Sequence, residues 1–82
     1  MSRHVPDLKN LGSVLRAFRL ERGLTQEQLS FRSHLTTGLI SDTENGKRNL
    51  SFESIARLLV ALEATWEEFG IAIHRSARRG AK

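Results

Sequence analysis

The sequence predicts a small all-α domain of five short helices. Apolar residues recur three and four positions apart in two segments, which is the spacing that gives a helix one apolar face. Residues suited to capping a helix N-terminus precede four of the expected helices, and the alternation typical of strands is almost absent. The length of 82 residues fits one domain with a modest core. The four capping residues are Thr25, Thr36, Ser51 and Thr65.

The first helix is predicted from about Leu11 to Arg22. Its apolar residues stand at i, i+3, i+4 and i+7, and Gly23 suits the left-handed conformation that often ends a helix. The four apolar residues are Leu11, Val14, Leu15 and Phe18.

The second helix is predicted from Gln26 to Arg32. Thr25 can cap it, Gln28 stands at the capping-box position, and Leu24 can pack onto Leu29 across the first turn.

The same start signals recur three more times. Thr36 opens a third helix with Leu35 facing Ile40, and Ser51 opens a fourth with Leu50 facing Ile55. The apolar face of the fourth helix continues through Leu58, Leu59 and Leu62. Thr65, with Glu68 at the capping-box position and Ala64 facing Phe69, opens a short fifth helix around Trp66 that Gly70 is expected to weaken or end.

Charge is unevenly distributed along the chain. There are 13 basic and 9 acidic residues, giving a net charge of +4, but residues 1–73 hold nine of each. We therefore divide the chain into an N-terminal arm, residues 1–10, expected to be partly flexible, a domain, residues 11–70, and a basic tail, residues 71–82. The tail either attracts DNA non-specifically or is a disordered, solubilising end.

Composition argues against several classes of protein. The chain has no cysteine, which excludes disulfides and thiolate metal sites and favours a reducing cytoplasm. It has no apolar run long enough for a bilayer and no signal-peptide core, so we expect a soluble protein. His4, His34 and His74 lack metal-ligand spacing, and neighbouring Glu67 and Glu68 point apart on a helix. We predict no enzyme, no metal, no cofactor and no small-molecule ligand.

The second and third predicted helices, joined by a short turn, form a helix-turn-helix, in which the second helix lies in the DNA major groove. An ordinary solvated helix would more often show Glu, Lys and Arg outward, whereas this one shows small polar residues. The candidate base-contacting residues are Thr36, Thr37, Gly38, Ser41 and Asp42. The candidate phosphate-contacting residues, before the second helix, at its start and after the third, are Thr25, Gln26, Asn45, Lys47, Arg48 and Asn49.

Three stretches carry a family resemblance: LTQEQLS, HLTTGLISDTENGKRNLS and SIARLLVALEATWEEF. Over about residues 11–70 they resemble the lambda-repressor-like Xre (Cro/CI) class of helix-turn-helix regulators. The matching elements are Thr25-Gln26, Ser30, Ile40-Ser41 and the run Glu44-Asn45-Gly46-Lys47-Arg48. Within that class the chain most resembles the small controller proteins of restriction-modification systems. The resemblance implies a five-helix lambda-repressor-like fold and a homodimer that regulates transcription at a double-stranded, inverted-repeat operator.

Three positions depart from the family pattern. His34 stands where the turn usually has Gly, so the turn is expected to be slightly altered. Thr43 stands where Ile or Val is common. Asp42 stands where a donor is often found, and two roles are open: its carboxylate can accept from cytosine N4, or it can pair with a nearby Arg and hold the helix.

The C-terminal apolar residues have three possible explanations. They can form a homodimer face, bind a different protein, or cover the end of their own core. The second explanation corresponds to an alternative function, an antitoxin or partner-binding protein of a toxin-antitoxin or phage module. The candidate dimer-interface residues are Leu62, Trp66, Phe69 and Ile73.

Overall fold

A computed structural model describes residues 6–80, which form five α-helices and no strand within that range. The predicted all-α fold is therefore confirmed. The helices are α1 (Leu8–Glu21), α2 (Gln26–Ser33), α3 (Thr37–Glu44), α4 (Phe52–Ala61) and α5 (Trp66–Gly80).

The four predicted N-caps are confirmed as hydrogen bonds. Thr25 Oγ1 accepts from the backbone N–H of Gln28 at 3.0 Å, and the Gln28 side chain accepts from the Thr25 N–H at 2.8 Å. The same reciprocal box joins Thr65 and Glu68 at 2.9 and 3.0 Å. The bond from the Thr65 N–H lowers the pKa of Glu68. The side chains of Thr36 and Ser51 cap α3 and α4 in the same way.

The first helix begins earlier than predicted. Asp7 is its N-cap and accepts from the Asn10 N–H at 2.9 Å, while the Asn10 side chain accepts from the Asp7 N–H at 2.9 Å. This capping box uses Asn in place of Glu or Gln at its third position. Leu8 to Asn10, expected in a flexible arm, are therefore the first turn of α1. The first five residues of the predicted arm, residues 1–5, lie outside the described range.

Three helices end in one hydrogen-bond pattern. At the ends of α1, α3 and α4 a left-handed residue follows the cap, and the next N–H bonds back to a carbonyl five residues earlier. Gly23 and Gly46 supply that conformation in α1 and α3, and Glu63 supplies it in α4 with a φ of 54°. His34 takes φ 61° at the end of α2, a left-handed conformation that glycine adopts more readily. A turn slightly altered from that of the family stays a prediction.

The core contains the apolar faces that the helical spacing predicted. Partly buried apolar side chains pack against it, among them Leu11, Leu35, Leu50 and Ile55. Thr43, at the position where Ile or Val is common, is also buried, and its hydroxyl has no hydrogen-bond partner among residues 6–80. The buried members of the core are Val14, Leu15, Phe18, Leu24, Leu29, Ile40, Leu58, Leu59, Ala61, Leu62 and Phe69.

α1 packs against both α3 and α5. Its contact with α3 is unusually close at Gly12, where an added Cβ would lie 2.1 Å from the carbonyl oxygen of Thr43 and 2.9 Å from that of Glu44. Glycine is therefore required at this crossing, because any larger side chain would push the end of α3 away.

The last helix is longer than predicted. α5 continues through Gly70 to Gly80, so residues 71–80 of the predicted tail are helical and the expectation of a short fifth helix was wrong. Ala72, Ile73 and buried Ala77 lie on its inner face, and the Asn10 amide donates to Ser76 Oγ at 3.0 Å. Packing on α1 outweighs the intrinsic cost of Gly70, about 1 kcal/mol. Residues 81 and 82 lie outside the described range.

We predict that Gly12→Ala lowers the free energy of unfolding by about 2 kcal/mol, because the methyl group meets two backbone oxygens that cannot move independently. Gly70→Ala is the matched control. No atom lies within 4 Å of a Cβ there, so it should raise stability by about 0.5–1 kcal/mol through helix propensity. Urea unfolding of both variants measures the difference, and equal stabilities would contradict the close crossing.

Candidate DNA interface

α2, a short turn and α3 form a helix-turn-helix in space as well as in sequence. The two helices pack on each other, and α3 also packs on α1. The side chain of Ser30, the small residue four positions after Gln26, donates to the Leu35 carbonyl, and Ser33 Oγ accepts from the Leu35 N–H at 3.3 Å. These two bonds fix the turn, so α3 leaves it in one direction.

The outer face of α3 is polar and accessible. Ile40 and Thr43 are buried and Leu39 is half-buried, which leaves the predicted base-contacting residues on the other side. Thr36 is the N-cap, with its hydroxyl accepting from the Leu39 N–H at 3.1 Å. The exposed residues of this face are Thr36, Thr37, Gly38 and Asp42, and Ser41 is half-buried beside them.

Asp42 forms no ion pair in the described part of the chain. Three pairs occur among residues 6–80, Arg19–Glu44, Arg22–Glu21 and Arg57–Glu53. The alternative in which Asp42 holds the helix through an arginine is therefore not what the structure shows, and its carboxylate is exposed on the recognition face.

The pair that holds α3 is formed by Glu44 and Arg19. Arg19 Nε donates to Glu44 Oε2 at 2.7 Å, and Arg19 Nη2 donates to Oε1 at 3.0 Å, a bidentate geometry. Arg19 Nη1 also donates to the Leu24 carbonyl at 2.8 Å. The side chains are 10% and 4% exposed. The hydrogen bond to Glu44 raises the pKa of Arg19, so this guanidinium stays charged.

One predicted phosphate-contacting residue, Gln26, bonds to this pair, and a second, Asn45, bonds to the last turn of α3. Gln26 Nε2 donates to Glu44 Oε1 at 3.1 Å, and Asn45 Nδ2 donates to the Ser41 carbonyl at 2.9 Å. Thr25, also in that set, is exposed but uses its hydroxyl as the cap of α2. The Gln26 amide is thus positioned by Glu44 rather than free.

The loop after α3 presents the other predicted phosphate-contacting residues. Lys47, Arg48 and Asn49 are exposed, and neither cation is in an ion pair among residues 6–80. The Lys47 N–H bonds to the Asp42 carbonyl at 2.8 Å and Gly46 takes φ 72°, so the start of this loop is fixed to the last turn of α3.

Arg16 is a candidate that the sequence analysis missed. It lies on the exposed side of α1 and borders the same groove as Gln26 and Asn45. Glu44 also lines this groove. Arg16 forms no ion pair among the residues described. Arg16 lies three residues before Arg19 on α1. That spacing would have identified Arg16 as a candidate only if the Arg19–Glu44 contact had been known.

The predicted dimer-interface set requires correction. Leu62 is 1% exposed and Phe69 is 8% exposed, so both belong to the core of the single chain, and Phe69 packs edge-on against Phe18 at 6.5 Å. Trp66 is 46% exposed and Ile73 is half-buried.

Trp66 also has a partner that the sequence analysis missed. Phe52, 74% exposed, stacks on it with ring centroids 4.9 Å apart and planes 7° apart. We call Phe52 and Trp66 the aromatic pair.

No helix in the described range is long and apolar enough to cross a membrane. Within residues 6–80 no three His, Asp or Glu side chains are grouped closely enough to hold a metal ion.

Comparison with known proteins gives a consistent result. Residues 10–69 match the family described as Helix-turn-helix domain. The restriction-modification controller protein C.Esp1396I, solved as a tetramer in complex with its natural 35 base-pair operator, is 31% identical, with 87% of this chain and 93% of that chain covered and a TM-score of 0.82. The controller protein C.AhdI from Aeromonas hydrophila is 37% identical, covering 76% and 94%, with a TM-score of 0.73.

A third solved relative is the clp gene regulator ClgR from Corynebacterium glutamicum, 29% identical, covering 96% of this chain and 84% of that one, with a TM-score of 0.88. No curated protein matches the chain by sequence. The chain belongs to the helix-turn-helix domain family and is a DNA-binding transcription regulator. Its solved relatives include restriction-modification controller proteins, as the sequence resemblance indicated.

We predict that Glu44→Ala lowers the free energy of unfolding by about 3 kcal/mol, because it leaves the buried Arg19 charge unpaired. Replacing both members, Arg19→Met with Glu44→Leu, should cost less than the single change, since no charge is then buried. Urea unfolding of the three proteins measures this, and a single variant as stable as the parent would show that the pair contributes nothing.

Proposed function

We propose that the chain is a sequence-specific, double-stranded-DNA-binding regulator that acts in the cytoplasm as the controller of a restriction-modification operon. The observation that carries the proposal is the polar face of α3, which is exposed and is followed along the chain by two cations that form no ion pair within the described range. The relatives support it, since C.Esp1396I and C.AhdI are controller proteins of such systems.

The proposed contacts divide into two classes. Thr36, Thr37, Gly38, Ser41 and Asp42 read base edges, because their side chains are short and let the helix approach the groove closely. Among them Asp42 is an acceptor only, so it favours a base that presents a donor, which in the major groove is cytosine N4 or adenine N6.

The second class positions the protein on the backbone. Lys47, Arg48 and Asn49 supply charge or donors from the loop after α3. Arg16, Gln26 and Asn45 border one groove beside it, with Gln26 at the N-terminal end of α2. Thr25 contributes through the backbone it caps. These contacts give affinity that depends on salt and little on sequence.

The proposed active form is a homodimer. One short recognition helix reads only a few base pairs, and two helices related by a two-fold axis double the site. The aromatic pair, Phe52 and Trp66, offers a stacked apolar surface on the side formed by α4 and α5. Ile73 lies half-buried on the same helix as Trp66. The bound DNA should be an inverted repeat with half-site centres about 34 Å apart.

Selection of bound duplexes from a random-sequence pool tests the function directly, and we predict that it enriches one inverted repeat. On that repeat, Lys47→Ala with Arg48→Ala should weaken selected and random DNA alike and reduce the salt slope by up to about one unit per lost contact. Asp42→Ala should instead change the preference at one base pair by about 1–3 kcal/mol with an unchanged salt slope.

The two variants serve as controls for each other. If selection enriches no sequence, the chain is not a sequence-specific regulator. If Asp42→Ala leaves every base preference intact, Asp42 does not read DNA.

For the dimer, we predict that Phe52→Asp yields a folded monomer, because a carboxylate in the aromatic pair would be buried unpaired in the assembly. Phe31→Asp is the control, since Phe31 is 84% exposed on α2 and lies outside the aromatic pair. Sedimentation equilibrium should give a dimer for the parent and for Phe31→Asp. A parent that is monomeric at micromolar concentrations, or a dimeric Phe52→Asp, would refute this interface.

A further inference from the structure

The final turns of α5 carry three arginines that no contact described above uses. Arg75, Arg78 and Arg79 are all exposed and together border one shallow depression of the surface. None of them forms an ion pair with another residue in the range 6–80. We call these three residues the α5 arginine cluster.

The cluster is connected to the DNA-facing loop through α1. The loop after α3 packs on the first turn of α1, since a Cβ at Gly46 would lie 3.0 Å from Lys9 Cγ. The next residue, Asn10, donates to Ser76 Oγ at 3.0 Å. Ser76 lies between Arg75 and Arg78 in the helix. A short path of direct contacts therefore leads from the candidate phosphate-binding loop to the arginines.

The groove beside the candidate DNA interface and the groove beside the α5 arginine cluster share two lining residues. Ser13 and Ala17, on the outer side of α1, border the groove that holds Arg16 and Gln26. The same two residues border a second groove, between α1 and α5, that is lined by Arg75, Ser76 and Arg79. The two grooves therefore adjoin at two small side chains, and each groove contains exposed arginines.

The acidic groups near the cluster are already engaged. Glu21 also lines the second groove, but its carboxylate is 3.4 Å from Arg22 and forms no pair with the cluster. Asp7, at the start of α1, accepts the capping hydrogen bond from the Asn10 N–H. The arginines are therefore exposed, with no neutralising partner among residues 6–80.

We propose that the α5 arginine cluster is an accessory phosphate-binding site that contacts the DNA backbone outside the base pairs read by α3. This inference rests on the proposed DNA-binding function and extends its footprint. The ligand is the duplex phosphate backbone, because exposed arginines in line with a groove bind phosphate oxygens without selecting a base. Flanking DNA of any sequence should then strengthen binding.

The arginines have a competing structural role, because cations in the last turn of a helix interact favourably with its dipole. That role affects the stability of α5 and is indifferent to the length of the DNA. Binding to duplexes of two lengths separates the two roles.

The test compares two duplexes built on the repeat enriched by selection. The short duplex ends at the repeat, and the long duplex adds about ten base pairs, one helical turn, of arbitrary sequence on each side. The parent should bind the long duplex roughly tenfold more tightly than the short one, with a steeper salt dependence. Arg75→Gln with Arg79→Gln should bind the two duplexes equally while binding the short one as the parent does.

The matched control is Arg32→Gln with Arg57→Gln, which removes the same total charge from exposed positions on α2 and α4. It should keep the gain from the flanks. The proposal is overturned if the parent gains nothing from the flanks, if the cluster variant keeps the gain, or if the control loses as much. Because the short duplex reports the proposed function alone, specific binding there by all three proteins separates a failure of the cluster from a failure of that function.

Discussion

The buried contact between Arg19 and Glu44 is the constraint on which the rest of the site depends. Glu44 is the last residue of α3, and Arg19 lies in the last turn of α1. Arg19 also donates to the carbonyl of Leu24, just before α2, and Glu44 accepts from Gln26, the first residue of α2. One ion pair thus joins three helices. Because each remaining polar atom of the guanidinium has a nearby acceptor, the cost of burying these charges is offset by geometry that only one arrangement of the helices provides.

The same arrangement of helices holds the proposed recognition face in position. Gly12 brings the backbone of α1 against the carbonyl groups of Thr43 and Glu44, so α3 is held by backbone packing on one side and by the ion pair at its end. The start of the loop that presents Lys47 is fixed in turn by Gly46. The residues proposed to contact phosphates and those proposed to contact bases therefore belong to one packed unit, as a site that must hold its geometry needs.

Local features of this fold were predictable from the sequence, and contacts between distant residues were not. The caps at Thr25, Thr36, Ser51 and Thr65 depend on residues three apart, and the core follows from helical spacing, so both were confirmed. Arg19 and Glu44 are 25 residues apart, and nothing in either neighbourhood indicates the other. Leu62 and Phe69 were assigned to an interface because spacing shows which residues share a face, but not whether that face meets its own core. The length of α5 was not predicted, because Gly70 was interpreted as the end of the helix. The helix continues to Gly80, with Ala77 buried and Ser76 bonded to Asn10 of α1.

The composition of the recognition face explains why the surrounding cations matter. Thr37, Gly38, Ser41 and Asp42 include no positive charge, and Asp42 adds a negative one, so α3 by itself would be repelled by the phosphates on both sides of the groove. In the proposed complex, affinity for DNA must then come from the cations around α3, while α3 selects the sequence through the bases to which it can or cannot hydrogen-bond. This separation allows Asp42 to act against incorrect bases, because a carboxylate facing an acceptor such as guanine O6 is unfavourable. The cations around α3 therefore have to bind enough phosphates to offset the negative charge of Asp42. The first 73 residues of the chain carry no net charge. Three of the four residues that give the chain its excess of positive charge, Arg75, Arg78 and Arg79, lie in the last turns of α5. The same part of α5 bonds to the first turn of α1, against which the loop after α3 also packs.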